Sequence, residues 1–387
     1  MQVLEFKSSK DFTVGAELEL QLIDKESRDL SSSSSTILRG LKNYPYLKHE
    51  LFESVIEINS NPCNTVKELA EDLKKHVNVL YNEASKIGVT ITAAGTHPTA
   101  NWSRQILSPV KRYQNIANKI QMPIRRMLTF GLHTHVGLRS GDEAVFVNNA
   151  LMNYLPHLLA ITVSSPFWVK RDSGMESYRV KILETLPTTG IPFKLKNWED
   201  YCEMAYVLHI AGTIDSIRDI WWDVRPHPDF GTVEVRVCDA VPVFDDVVSV
   251  IALVQCLIAY LAKKYRAKKE IKLFPSFLIR ENKWRAARFG LNAELITDYS
   301  GTTIPIKWEI EKLIDELMPV ASELKANEEL AKVTDIFKRG TSSKRQRNIF
   351  SESGGNWNSV IDSLIKEFED SWKLNVGADP CVCPKEK

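Results

Sequence analysis

The stretch Phe12–Asp24 reads FTVGAELELQLID, and its alternation decides the fold. Successive side chains on a strand point to opposite sides. Phe12, Val14, Ala16, Leu18, Leu20 and Leu22 therefore share one face, while Thr13, Gly15, Glu17, Glu19 and Gln21 share the other. The first face is core, and the second carries two carboxylates.

Three further stretches sort in the same way. In Leu51–Asn59 (LFESVIEIN), Phe52, Ile56 and Ile58 oppose Glu53, Val55, Glu57 and Asn59. In Thr129–Leu138 (TFGLHTHVGL), Phe130, Leu132, Val136 and Leu138 alternate with Gly131, His133, His135 and Gly137, so both imidazoles point one way beside glycines that leave room for a ligand. In Thr232–Asp239 (TVEVRVCD), Val233, Val235 and Val237 oppose Thr232, Glu234, Arg236 and Cys238. Each alone reads as an antiparallel strand with a wetted outer face. Glutamate is depleted from strands, however, and solvated faces collect Lys and Thr rather than acids with histidines. In one sheet, Glu17, Glu19, Glu53, Glu57 and Glu234 would crowd a single surface. Like charges ~4 Å apart repel by about 4 kcal/mol at an effective dielectric near 20. Something cationic must sit among them, or several must hold protons. Glu17→Gln or Glu234→Gln is accordingly expected to abolish activity while leaving the fold intact or firmer.

Carboxylate oxygens are hard ligands, so the implied metal is Mg²⁺ or Mn²⁺ with one imidazole tolerated, whereas zinc would call for Cys and His. Protein alone seldom cages Mg²⁺, and substrate phosphates usually complete its shell. That points to a nucleotide. GxxxxGK[ST], GxGxxG and GxSxG motifs are absent, which leaves metals and arginines to hold the phosphates. The candidates are Arg179, Arg225, Arg236, Arg285, Arg288 and Arg345. Neighbouring Trp221, Trp222 and Trp284 suggest a buried or stacked setting for Arg225 and Arg285.

The rest of the chain limits the alternatives. Its 387 residues are 44% hydrophobic and 26% charged, with 50 Lys plus Arg against 49 Asp plus Glu, which excludes a disordered or fibrous chain. A net charge of +1 implies neither nucleic acid nor an anionic membrane as partner. Six cysteines are too dilute for a disulfide scaffold, and the N-terminus lacks a secretory signal, so the expected location is the cytoplasm. Val247–Ala262 reads as a buried helix too short for a membrane span, and Ala144–Val169 is not read as a span because it carries Asn148, Asn149, Asn153, Pro156 and His157.

No repeat or linker interrupts residues 1–374, which are expected to form a single catalytic domain, with 375–387 as a flexible tail containing Cys381 and Cys383. Ser31–Ser35 reads as a mobile loop. Thr65 and Glu68 form a capping box for a helix ending near Gly88, with a strand at Val89–Ala94. Further helical patterns cover Trp198–Leu208, Val247–Lys268, Trp308–Phe337 with a break at Pro319, and Trp357–Leu374. The mixture is α+β.

In order along the chain, GAELELQ, HELFESVIEINSNP, AGTHP, GLHTHVGL, SSPFW, SGMESYR, WWDVRPHPDFGTVEVRVCD, ENKWRAARFGL and TSSKRQR resemble the glutamate–cysteine ligase family, in its bacterial second type, the carboxylate–amine ligases. The resemblance runs from residue 15 to about 347. It implies a glutamine-synthetase-like fold, a curved antiparallel sheet forming a funnel with helices packed on its outer face. By the same resemblance Glu17, Glu19, Glu57, His133 and Glu234 are metal ligands. Arg179 and Arg236 would contact substrate carboxylate and transferred phosphate, and Glu53 joins them as a catalytic group. His135, Arg225, Arg285, Arg288 and Arg345 complete the expected substrate- or nucleotide-binding set. Glu53, Asp223 and His135 are the candidates for the general base.

The implied reaction is ATP-dependent joining of the γ-carboxylate of glutamate, or a similar carboxylate, to cysteine or another amine through an acyl phosphate. A phosphoryl-transfer or ammonia-using enzyme on the same sheet is the alternative, as is a nucleotide-binding module without turnover. The partners are small molecules, and the family admits a homodimer.

Overall fold

The protein was analysed as a computed structural model that describes residues 4–42 and 44–374. The expected tail, with Cys381 and Cys383, lies outside the described residues. Nine strands position the site: β1 (Val14–Asp24), β2 (Leu47–His49), β3 (Val55–Asn59), β4 (Val89–Thr92), β5 (Gly131–Gly137), β6 (Thr189–Gly190), β7 (Trp221–Trp222), β8 (Val224–His227) and β9 (Thr232–Asp239). Seven of them form an antiparallel sheet in the order β2-β3-β1-β5-β9-β8, with β4 paired to the far end of β1. The other two, β6 and β7, make a short parallel pair.

The apolar face predicted for β1 is buried: Val14, Leu18, Leu20 and Leu22 are fully buried and Ala16 nearly so. Ile56 and Ile58 of β3, Leu132 and Val136 of β5, and Val233, Val235 and Val237 of β9 extend this layer. Removing one such leucine to alanine costs about 2–5 kcal/mol. Helices Val66–Ser85, Gly141–Leu151, Leu155–Thr162 and Phe244–Arg266 cover the layer. Phe244–Arg266 is apolar on nearly every side because it is buried on nearly every side. Within Ala144–Val169 two helices are parted by a tight turn at Met152–Tyr154, with Pro156 in the first turn of the second.

Several local expectations change. Thr65 caps its helix by accepting the Glu68 N–H at 3.2 Å, but the Glu68 carboxylate takes the Asn64 N–H at 2.9 Å instead of that of Thr65. The helix Ile306–Leu324 runs through Pro319 and stops only at Lys325, whose φ is 57°. Burial of Leu317, Val320 and Ala321 around the proline outweighs the missing hydrogen bond. Ser31–Ser35 is not a loop throughout, since Ser34 is buried and opens the helix Ser34–Gly40. Nor is Leu51–Asn59 one strand. The chain turns at Phe52–Ser54, where Val55 N–H donates to Phe52 O at 3.1 Å, and β3 starts only at Val55.

Candidate active site

Register brings the polar residues together. Antiparallel partners share a face with their Cβ atoms about 4.5–5.5 Å apart. One row across the sheet is Gly15, His135, Glu234 and Arg225, on β1, β5, β9 and β8. The next is Asn59, Glu17 and His133, and the third is Lys48, Glu57 and Glu19. Slipping β1 by one residue would turn Glu17 and Glu19 into the core, so burial of the leucine face enforces the arrangement.

The wall has a compensated end and an uncompensated one. Glu17 lies 3.3 Å from His133 Nδ1 and 3.5 Å from His135 Nε2. Burial pushes its pKa up, but hydrogen bonds and charge from the two imidazoles win and hold it well below the ordinary carboxylate range. Arg225 Nε donates to Glu234 Oε2 at 2.7 Å, and Arg236 Nη1 pairs with Glu234 Oε1. Burial opposes ionisation of Glu234, yet the two guanidinium charges keep it ionised. His133 goes the other way, down to about 4, through burial and then the Arg236 charge.

At the other end Glu19, Glu50 and Glu57 meet. Burial, followed by the charge of Glu50, pushes Glu19 up to about 8. Glu57 is raised well above its usual value by burial and by Glu17, Glu50 and Glu19. Each triad, Glu19–Glu50–Glu57 and Glu17–His133–Glu234, offers ligand atoms within 4.8 Å of one another. Both donor sets suit a hard divalent cation, being oxygen-rich with at most one imidazole per group, and the Glu19–Glu50–Glu57 group is strained as well. The buried Nε2 of His133 also has no hydrogen-bond partner.

Glu50, and not the Glu53 expected from the sequence, stands with Glu19 and Glu57. Strand alternation carried back through Phe52–Ser54 selects Glu53, but the turn there hands the position to Glu50, whose Oε1 accepts from Tyr113 Oη at 3.1 Å. Glu53 instead accepts from Ser34 Oγ (2.7 Å), Ser35 N–H (2.8 Å) and Ser35 Oγ (2.5 Å), and so caps the helix Ser34–Gly40. It does not border the cavity. The serine run is legible as the partner of this carboxylate only once the fold is known.

A cavity of about 230 Å³ opens on the acidic wall, bordered by Glu17, Glu19, Glu57, Arg179, Asp223 and Arg236 among others. Arg225 also borders it, but its guanidinium is committed to Glu234 and to Ile220 O at 2.7 Å. His135 sits on the same face beneath Phe230, its Nδ1 3.0 Å from Thr232 Oγ1.

Arg285, Arg288 and Arg345 lie elsewhere. Arg285 pairs with Glu281 at 3.1 Å, Arg288 stacks over Phe289, and Arg345 grips Glu367 with two 2.7 Å hydrogen bonds. The helix Ser276–Phe289 buries the face carrying Leu278, Ile279, Asn282, Lys283, Ala286 and Ala287, which turns Trp284, Arg285 and Arg288 outward. Trp284 is 40% exposed, so it does not create the buried setting expected for Arg285. The cation this helix sends inward is Lys283, 2.6 Å from Asp223 Oδ2 and 3.0 Å from Glu184 Oε1.

An antiparallel sheet with helices behind it and an acid- and arginine-lined cavity in front defines an ATP-dependent carboxylate–amine ligase of the glutamine-synthetase-like fold. The family profile described as glutamate-cysteine ligase family 2 (GCS2) matches residues 13–365, and the chain belongs to that family. A Frankia casuarinae protein described as "Putative glutamate--cysteine ligase 2-1" is 40% identical over 370 residues, 94% of this chain and 97% of that one. A Thermobifida fusca protein described as "Putative glutamate--cysteine ligase 2" is 40% identical over 371 residues, 94% of this chain and 93% of its own. The fold is shared with the glutamate–cysteine ligase of Francisella tularensis, solved in complex with AMP (TM-score 0.68, 15% identity, 96% of this chain and 91% of that one). It is shared also with a bifunctional glutathione synthetase from Pasteurella multocida (TM-score 0.66, 13% identity, 93% of this chain and 52% of that one).

Proposed function

We propose that the enzyme joins the γ-carboxylate of glutamate, or a closely similar carboxylate, to the amine of cysteine or another amino compound, at the expense of ATP. The observation that carries this reading is the strained Glu19–Glu50–Glu57 group, lining one cavity together with Arg179 and Arg236. Glu19, Glu50 and Glu57 would hold one Mg²⁺ or Mn²⁺, and Glu17, His133 and Glu234 a second. The bound metals supply charge neutralisation for the triphosphate.

A carboxylate is a poor electrophile. Its oxygen attacks the γ-phosphorus of ATP, the bond to ADP breaks, and an acyl phosphate results. The amine then attacks the acyl carbon and phosphate leaves with the former carboxylate oxygen. Arg179 and Arg236 orient the reacting anions and offset their charge, a task of positioning rather than covalent catalysis. Of Glu53, His135 and Asp223, Asp223 is the one that borders the cavity, and we assign it to receive the amine and its proton.

The test is incubation with Mg²⁺·ATP, an amine panel and glutamate carrying ¹⁸O in its γ-carboxylate, followed by mass spectrometry. The expected result is an amide formed with ADP in equal amounts and one ¹⁸O in the released phosphate. A phosphorylated end product, or ADP release without amide, would refute the reading.

A further inference from the structure

Many of the sequence motifs meet at a residue that does not border the cavity. Asp239, the last residue of β9, is fully buried, and its carboxylate accepts from Ser164 N–H (3.0 Å), Ser165 Oγ (2.7 Å) and Ser177 Oγ (2.9 Å). Ser164 and Ser165 open SSPFW, and Ser177 belongs to SGMESYR. Gly95 of AGTHP passes so close that a Cβ there would lie 2.6 Å from the Asp239 carboxylate. Gly131 of GLHTHVGL is the cross-strand partner of Asp239. From TSSKRQR, the Gln346 side-chain amide donates to Ser164 O at 3.0 Å. Nothing in the acidic wall explains why these segments gather at one buried carboxylate.

What they gather around is Arg179. Its backbone N–H donates to Ser165 Oγ at 3.0 Å, and that hydroxyl donates in turn to Asp239. Its guanidinium Nη1 stands 3.9 Å from Asp239 Oδ1. Nη1 and Nη2 also donate to Val237 O and Arg236 O at 3.3 and 3.2 Å, which lays the head along β9 at the cavity wall. Gly131 leaves the space it occupies, since a Cβ there would lie 2.3 Å from Nη2. A free arginine side chain has much rotamer entropy to lose when it grips an anion. Here that loss occurs on folding, before substrate arrives.

We propose that Asp239 is the positioning residue for Arg179, holding its main chain through Ser165 and its guanidinium by charge, so that the cavity presents a preformed anion contact. The inference rests on the ligase reading of that cavity and adds to it a residue behind the wall.

The test is a double-mutant cycle on amine-dependent ADP release with Asp239→Asn and Arg179→Lys, together with the crystal structure of Asp239→Asn. Asp239→Asn is expected to lower kcat/KM by about 10- to 100-fold in the otherwise native enzyme, and by less than about twofold when Arg179 is already lysine. The guanidinium should leave the Arg236 and Val237 carbonyls in the crystal. Losses that multiply, or an unmoved guanidinium, would overturn the proposal. Should Asp239→Asn not fold, Ser177→Ala carries the same cycle, with about a 2- to 10-fold loss expected alone and none on Arg179→Lys; equal losses in both backgrounds would overturn it. Absence of amine-dependent ADP release in the native enzyme would refute the ligase reading, whereas the position of the guanidinium still decides the role of Asp239.

Discussion

Glu57 stands directly opposite Glu19 across β3 and β1, acid against acid, in a wall where Glu17 faces His133 and Glu234 faces His135 and Arg225. Both members of the acid pair have raised pKa values, from burial first and from neighbouring carboxylates next. In this part of the sheet the fold holds carboxyl groups whose ionisation it does not fully balance.

Replacing Glu57 with Gln should therefore firm the protein while abolishing turnover. In EDTA the variant is expected to gain about 1–3 kcal/mol from relieved repulsion, and added Mg²⁺ should raise its melting temperature less than that of the native enzyme. Thermal unfolding with and without Mg²⁺ checks both. A destabilised Glu57→Gln would mean that the carboxylate is a structural anchor.

Glu234→Gln should also abolish turnover but destabilise the fold, contrary to what crowding of acids in the sequence suggests. The partners Arg225 and Arg236 make Glu234 the hub of a buried ion pair, and removing one member strands the others. The expected loss is about 3–5 kcal/mol. Urea unfolding at neutral pH measures it, and an unchanged midpoint would contradict the assignment.

Glu50 and Glu53 are separable by the same comparison. Glu53→Gln should cost about 1–2 kcal/mol, as loss of a helix cap does, with kcat/KM within about threefold of native because the side chain never meets the cavity. Glu50→Gln should leave stability unchanged or improved and remove activity. The reverse pattern would restore Glu53 as the catalytic residue.

Stability should fall on mild acidification. His97 and His157 are buried, and burial lowers both to about 4 from an ordinary value of 6.5. Unfolding frees each to bind a proton, so the stability that depends on their neutrality is present above pH 6.5 and is lost as pH falls toward 4. The slope is about 1.4 kcal/mol per pH unit for each histidine. Glu19, raised to about 8, contributes the opposite slope between its unfolded value of 4.5 and 8, so the histidine share is read as a difference. The stability advantage of the native protein over His97→Gln should shrink below pH 6.5, and a constant difference would exclude His97.

The strand faces were legible because alternation is local. Leu18 and Leu20 bury, Glu17 and Glu19 do not follow them, and no tertiary knowledge is needed to see it. Register was legible only indirectly, through the requirement that every apolar face point the same way. What could not be read were features set by turns and by distant partners. The reversal at Phe52–Ser54 exchanges Glu53 for Glu50. The rotation of helix Ser276–Phe289 sends Lys283 inward and Arg285 outward. Arg345 finds Glu367, 22 residues along the chain, and is thereby taken out of the site. Asp239 offered no sign at all, since its partners are serines and glycines from four separate segments.

Two groups of side chains from distant strands would hold divalent ions for a triphosphate. Anomalous diffraction from crystals soaked with Mn²⁺ and a non-hydrolysable ATP analogue tests it most directly. One manganese is expected among Glu19, Glu50 and Glu57, another at Glu17, His133 and Glu234, and phosphates between them and Arg179. Manganese bound away from both groups, or the analogue bound outside this cavity, would contradict it.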